Sequence, residues 1–176
     1  MRHLTPADYR VQPWKNGLGS TVELFRAELD GVLLARLSRA TVTEDGPFSL
    51  FPGLKRNLTV LTGPGFRLVG SGFDLDCAPL TPVAFPGSVA IAATATGGTA
   101  SEDFNVMTAD HLPAPQVQIA REGSVLPAGG LLALYAALGP ATVNGSPLEE
   151  DHLLLTTGPA RVHGRHPVIA ARLFGL

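Results

Sequence analysis

Two arginines and an aspartate–asparagine pair are the residues of this chain whose types invite chemistry. Arg36 lies in VLLARLSRATV and Arg56 in LKRNLTVLTG, each inside an otherwise apolar strand pattern. An arginine seldom goes inside a protein without a partner. A guanidinium presents a fork of N–H donors that matches a carboxylate, so two of them lining a β-barrel suit a small carboxylic acid. In an extended EDFNVM, Asp103 and Asn105 share a face and Phe104 and Val106 take the other. Asp103 fits a partner that steadies an arginine, and Asn105 carries both a donor and an acceptor. Ser38 falls on the Arg36 face and adds a hydroxyl. A plainer reading competes. Buried charges are usually paired, so Asp103 or Glu102 would hold one of the arginines permanently. Both readings stand together if one arginine is satisfied internally and the other is open.

The stretch DGPFSLFPG, residues 45–53, is rich in backbone-fixing residues and places Phe48 and Phe51 close to Arg56. Its prolines and glycines make a shaped loop, and the two phenylalanines give it an apolar wall. Such a wall lowers the local dielectric and strengthens an arginine–carboxylate contact. Ser49 adds one hydroxyl. The loop reads as the rim and wall of a pocket.

The elements that must position these residues are strands. The chain has 176 residues, 45% of them hydrophobic and 16% charged, which is enough for a sizeable core. Its 20 glycines and 15 prolines are dispersed between short apolar runs, the pattern of many short strands. STVELFRAEL and VLLARLSRATV flank Asp30-Gly31, a strong hairpin signal. The return strand puts Leu34, Arg36, Ser38, Ala40 and Val42 on one face and Leu37, Arg39 and Thr41 on the other. Both faces are mixed, as a barrel with a polar ligand in its lumen requires. The rhythm continues to the C-terminus and predicts an antiparallel sandwich or barrel. HLPAPQ, residues 111–116, reads as the connection between an N-terminal barrel over 1–110 and C-terminal strands over 111–176.

Other chemistries find little support. The net charge is −2 and no basic cluster tracks a phosphate backbone, so nucleic acid is not the expected partner. Cys77 is the only cysteine, which excludes an internal disulfide and fits a reducing cytoplasm. No apolar run has the length of a membrane span, and MRHLTPADYRVQPWKNG has no signal-peptide core. His163 and His166 are close in sequence but lack a third ligand, and His3, His111 and His152 read as isolated surface residues. No metal, cofactor or catalytic residue is therefore expected. No G-x-S-x-G elbow, dinucleotide fingerprint or phosphate loop occurs. Trp14 reads as core or barrel-mouth packing, and Asn16-Gly17 as a turn.

Four segments in order, WKNGLGST, ARLSRATVTEDGPFSLFPGLKRNLTVLTGPGFRL, the second FPG at 85–87 and EDFNVM, resemble the HutD/Ves family of bacterial proteins associated with histidine utilisation. The resemblance implies an all-β bicupin, two tandem antiparallel β-barrels of the cupin-like, RmlC-like jelly-roll type. Where most enzymatic cupins carry paired histidines and a glutamate as metal ligands, this chain resembles the motif with Phe48, Phe51 and Arg56. An arginine cannot ligate a cation, so the metal site looks replaced by one that prefers anions. One departure is Leu18 within the family's glycine run. The family implies a non-metal small-molecule-binding protein that senses or modulates histidine utilisation. Its ligand would be a small carboxylate metabolite, such as a formylated or formimino derivative of glutamate. The alternative is a metal-independent cupin-type enzyme acting on a small carboxylate. The expected ligand-binding residues are Arg36, Ser38, Phe48, Ser49, Phe51, Arg56, Asp103, Asn105 and Asn16. The chain is also compatible with a homodimer.

Overall fold

The computed structural model describes residues 1–13 and 20–176, so the readings of Trp14 and Asn16 lie outside the described residues. Apart from a 3-10 turn at Pro6–Asp8, every regular element described is a strand. The first are β1 (Arg2–Leu4), β2 (Arg10–Pro13), β3 (Ser20–Leu29), β4 (Val32–Val42), β5 (Gly46–Pro47) and β6 (Leu54–Thr62). Then come β7 (Phe66–Gly70), β8 (Phe73–Cys77), β9 (Val83–Pro86), β10 (Ala92–Thr94) and β11 (Ser101–Ala109). β12 (Gln116–Ala120), β13 (Val125–Leu126), β14 (Leu131–Tyr135) and β15 (Ala141–Val143) follow. β16 (Ser146–Leu148), β17 (Leu153–Thr156), β18 (Ala160–His163) and β19 (Val168–Leu173) complete the chain. The expected all-β architecture is present, and no described helix is long and apolar enough to cross a membrane.

The chain divides into two compact units. One is Arg10–His111; the other joins Met1–Tyr9 to Leu112–Leu176. The first nine residues thus go with the C-terminal strands and not with the 1–110 segment to which the sequence assigned them. The reason is pairing: β1 lies antiparallel on β17, with Leu4 opposite Leu153.

Within residues 10–111, a six-stranded antiparallel sheet of order β2-β3-β4-β11-β6-β9 stands against a four-stranded sheet β5-β10-β7-β8. Leu58 and Val60 from the first meet Phe66, Leu68, Cys77 and Ala93 from the second, with Ile91 just before β10, in one buried cluster. The β3–β4 hairpin turns through Asp30 (φ 51°) and Gly31 (φ 78°), the positive pair a type I′ turn needs. In the other unit, a five-stranded sheet β1-β17-β14-β19-β12 accompanies a four-stranded sheet β13-β18-β15-β16. Leu132, Leu134, Leu154, Val162 and Val168 belong to the core between them.

Candidate functional site

Register, more than proximity in sequence, assembles the site. β11 runs down the middle of the six-stranded sheet with β4 on one side and β6 on the other. Met107 lies opposite both Arg36 and Arg56, and Arg56 lies opposite Phe85 on β9. One step along, Asn105 is flanked by Ser38 and Leu58, and one further, Asp103 by Ala40 and Val60. Leu58 and Val60 belong to the core between the two sheets. The period-two rule therefore puts Arg36, Ser38, Arg56, Asp103 and Asn105 on that same inward face. All five are buried.

The two arginines have different fates. Arg36 donates from Nε to Glu23 Oε2 at 2.7 Å and from an Nη to Gln12 Oε1 at 3.1 Å. Arg26 also approaches Glu23, at 3.6 Å. A β-bulge in β3 between Glu23 and Phe25 makes this possible. The extra residue, Leu24, resets the alternation, so Arg26 comes opposite Arg36 on the same side as Glu23, which faces Ser38. From the sequence, Asp103 and Glu102 are the expected partners and not Glu23, although counting back from the Asp30-Gly31 turn already puts Glu23 opposite Ser38; Arg36 is a closed ion pair.

Arg56 has no acid in contact among the described residues. One Nη donates to Asn105 Oδ1 at 3.0 Å and the other to the backbone carbonyl of Ser49 at 3.3 Å. The buried Nε has no partner among the described residues. The guanidinium carbon lies 5.4, 5.1 and 4.9 Å from the ring centres of Phe48, Phe51 and Phe85. Those cation–π contacts fix the guanidinium in place but offer no oxygen to its N–H groups. Phe85 was not foreseen, although the second FPG motif that contains it was noted. Ser49 contributes its carbonyl rather than the hydroxyl the sequence suggested.

Asp103 reaches Arg56 through an amide. Asn105 Nδ2 donates to Asp103 Oδ1 while its Oδ1 accepts from Arg56. The one orientation of this carboxamide satisfies both neighbours. Burial pushes the Asp103 carboxyl up to about 7, against the opposing pull of Arg56 and Asn105. Burial also brings Arg56 down to about 10, partly offset by the Asp103 charge. Desolvation prevails over the arginine's charge because the two groups form no direct ion pair. Glu102, the other acid considered, pairs with Arg39 at 3.2 Å instead.

The shaped loop is held by its own echo in the sequence. Phe51 N–H donates to the Gly87 carbonyl and Gly87 N–H to the Leu54 carbonyl, both at 2.7 Å. The two FPG tripeptides at 51–53 and 85–87 are thereby clamped together. A Cβ on Gly87 would meet the Phe51 carbonyl oxygen at 2.4 Å, so only glycine fits this close approach. The clamp places Phe51 and Phe85 on Arg56 at once. At the loop's start, the Asp45 carboxylate accepts from Thr96 N–H and Oγ1.

No group of three histidine, cysteine, aspartate or glutamate side chains among the described residues could hold a metal ion. Around Arg56 the donor set favours a negatively charged oxygen ligand.

Two units, each of paired antiparallel sheets, define a cupin-like fold. The chain belongs to the HutD family, whose model matches residues 6–170, and with it to proteins associated with histidine utilisation. Its structure is similar to that of HutD from Pseudomonas fluorescens SBW25, at TM-score 0.85 and 28% identity, over 99% of each chain. An uncharacterized 21.2 kDa protein in the hutC 3' region of Pseudomonas putida is 40% identical over 109 residues. That match covers 60% of this chain and 57% of the relative. The bacterial pirin YhhW of Escherichia coli, solved in complex with nickel(II), shares the fold at TM-score 0.69 and 9% identity, over 99% of each chain.

Proposed function

We propose that the unit of residues 10–111 binds a small carboxylate at Arg56 and thereby senses or modulates histidine utilisation. One observation carries the reading. Arg56 is 6% exposed, its guanidinium is wrapped by three phenyl rings, and its Nε meets no partner among the described residues. An unsatisfied buried donor on a cation costs stability, and an arriving carboxylate oxygen supplies the missing acceptor. With Arg36 closed by Glu23, one arginine and not two receives the ligand. The ligand therefore needs a single carboxylate at this point. Asp103 and Asn105 beside it offer polar groups to a second function such as a formyl or formimino group. The related HutD structure from Pseudomonas fluorescens was determined in a formate condition, and formate is the smallest probe of such a site. The cytoplasm, where a buried unpaired Cys77 stays reduced, is the compartment that suits this role.

Calorimetric titration with formate and with N-formyl-L-glutamate tests the proposal. Both should bind wild type, the second more tightly, and Arg56→Ala should lose about ten- to a hundred-fold in affinity. Absence of binding by either compound, or equal binding by the variant, rejects it.

A metal-independent enzyme is the second reading. Asp103, raised to about 7, titrates where general acid–base catalysis operates. Consumption of N-formyl-L-glutamate by wild type but not by Asp103→Asn would favour it over a sensor.

A further inference from the structure

We propose that His3 and His152 form a two-histidine surface site for a borderline divalent transition metal ion, of the zinc, nickel or copper class. The site belongs to the unit built from both chain ends and is independent of the carboxylate reading at Arg56.

The sequence sets these residues far apart, and as isolated side chains they suggested nothing. The register of β1 on β17 changes that. His3 lies opposite Leu154, so His152, two residues before it, is the diagonal neighbour on the same side. Nε2 of His3 and Nδ1 of His152 come to 3.1 Å, with ring centres 5.0 Å apart and planes at 71°. Two imidazole nitrogens, each bound about 2.0–2.1 Å from one metal ion and roughly at right angles, stand about 3 Å apart. The pair already has that bite. Without an ion, the same contact is a hydrogen bond in which one ring donates and the other accepts.

The histidine on the β17 side is held by a fixed turn. Asp151 takes a positive φ of 61°. Its N–H donates to the Ala136 carbonyl at 2.8 Å, and His152 O accepts from Ala136 N–H at 3.1 Å. The Tyr9 hydroxyl donates to the Asp151 carbonyl and the Tyr135 hydroxyl to its Oδ1, each at 2.6 Å. A ligand fixed this way loses little freedom when an ion binds. Neutral imidazole nitrogens select zinc, nickel and copper over magnesium and calcium. Two protein ligands leave the remaining positions to water, so the ion exchanges readily. Once bound it ties β1 to the turn before β17.

The test is zinc titration of the untagged full chain by calorimetry and NMR at pH 7.5, with metal-free melts to verify each variant's fold. Wild type should bind one zinc, and zinc should raise its melting temperature. His3→Gln and His152→Gln should each lose about tenfold or more in affinity. The double variant should be no weaker than either single, because one imidazole alone no longer chelates. His163→Gln should match wild type. No saturable zinc binding by wild type, unchanged affinity in both single variants, or a loss that follows His163 instead would each overturn the site and leave His3–His152 a hydrogen bond.

Discussion

Arg56 and Asp103 are joined through a third residue: the Asn105 carboxamide accepts from the guanidinium at 3.0 Å and donates to the carboxylate. The amide lets two buried groups sense each other without closing into an ion pair. Burial shifts each toward its neutral form, Asp103 up to about 7 and Arg56 down to about 10, against the pull of the other's charge.

Stability should fall as pH rises through neutrality. An unfolded aspartate titrates near 3.9, and folded Asp103 titrates at about 7. Between these values the folded chain holds a proton that the unfolded chain has released, so unfolding becomes easier with rising pH. This contribution is fully present below the unfolded value and lost above the folded one. Urea melts from pH 5 to 8 should show wild type weakening more than Asp103→Asn, with the variant relatively favoured at pH 8. Parallel profiles would mean Asp103 does not titrate in this window.

Arg36 should behave as structure. Arg36→Ala strands Glu23 in the interior and should cost about 3–5 kcal/mol in chemical denaturation. Replacing both partners by apolar residues, Arg36→Met with Glu23→Leu, should recover most of that loss. A single variant as stable as wild type would show that the pair holds nothing.

Arg56→Lys should bind formate about tenfold or more weakly than wild type, because an ammonium has no planar fork and fits the three rings less well. Calorimetry on the two proteins, side by side, decides it. Equal affinity would reduce Arg56 to a point charge.

Gly87→Ala should destabilise the protein by about 1–3 kcal/mol, since the added methyl meets two carbonyl oxygens, at 2.4 and 2.7 Å. It should also weaken carboxylate binding, because the same clamp positions Phe51 and Phe85. Loss of stability with unaltered affinity would separate the clamp from the site.

Cys77 should resist thiol reagents in the native protein. It is fully buried, and burial pushes its thiol up to about 12. Labelling should proceed only with unfolding and keep pace with it as denaturant is added.

Much of this was legible in the residues. Asp30-Gly31 announced its hairpin, alternation put Asp103 and Asn105 on one face, and DGPFSLFPG read as a wall because backbone-fixing residues leave few alternatives. What escaped was non-local. Glu23 was passed over because its ion pair with Arg36 runs diagonally across the β3–β4 pairing, Glu23 itself standing opposite Ser38. Phe85 was hidden because its contact with Arg56 arises from pairing between β6 and β9, and sequence spacing carries no trace of that. The pairing of β1 with β17 was hidden because a three-residue segment offers too little pattern to announce its partner.

That distant pairing also bears on how the protein is made. A ribosome emits β1 first and β17 among the last strands, with all of residues 10–111 between them. The central unit has its whole sequence in hand while the outer one still lacks every strand but its first. During that interval β1 is an apolar-ended tail without an edge to join. Synthesis of the final quarter of the chain is what gives it one.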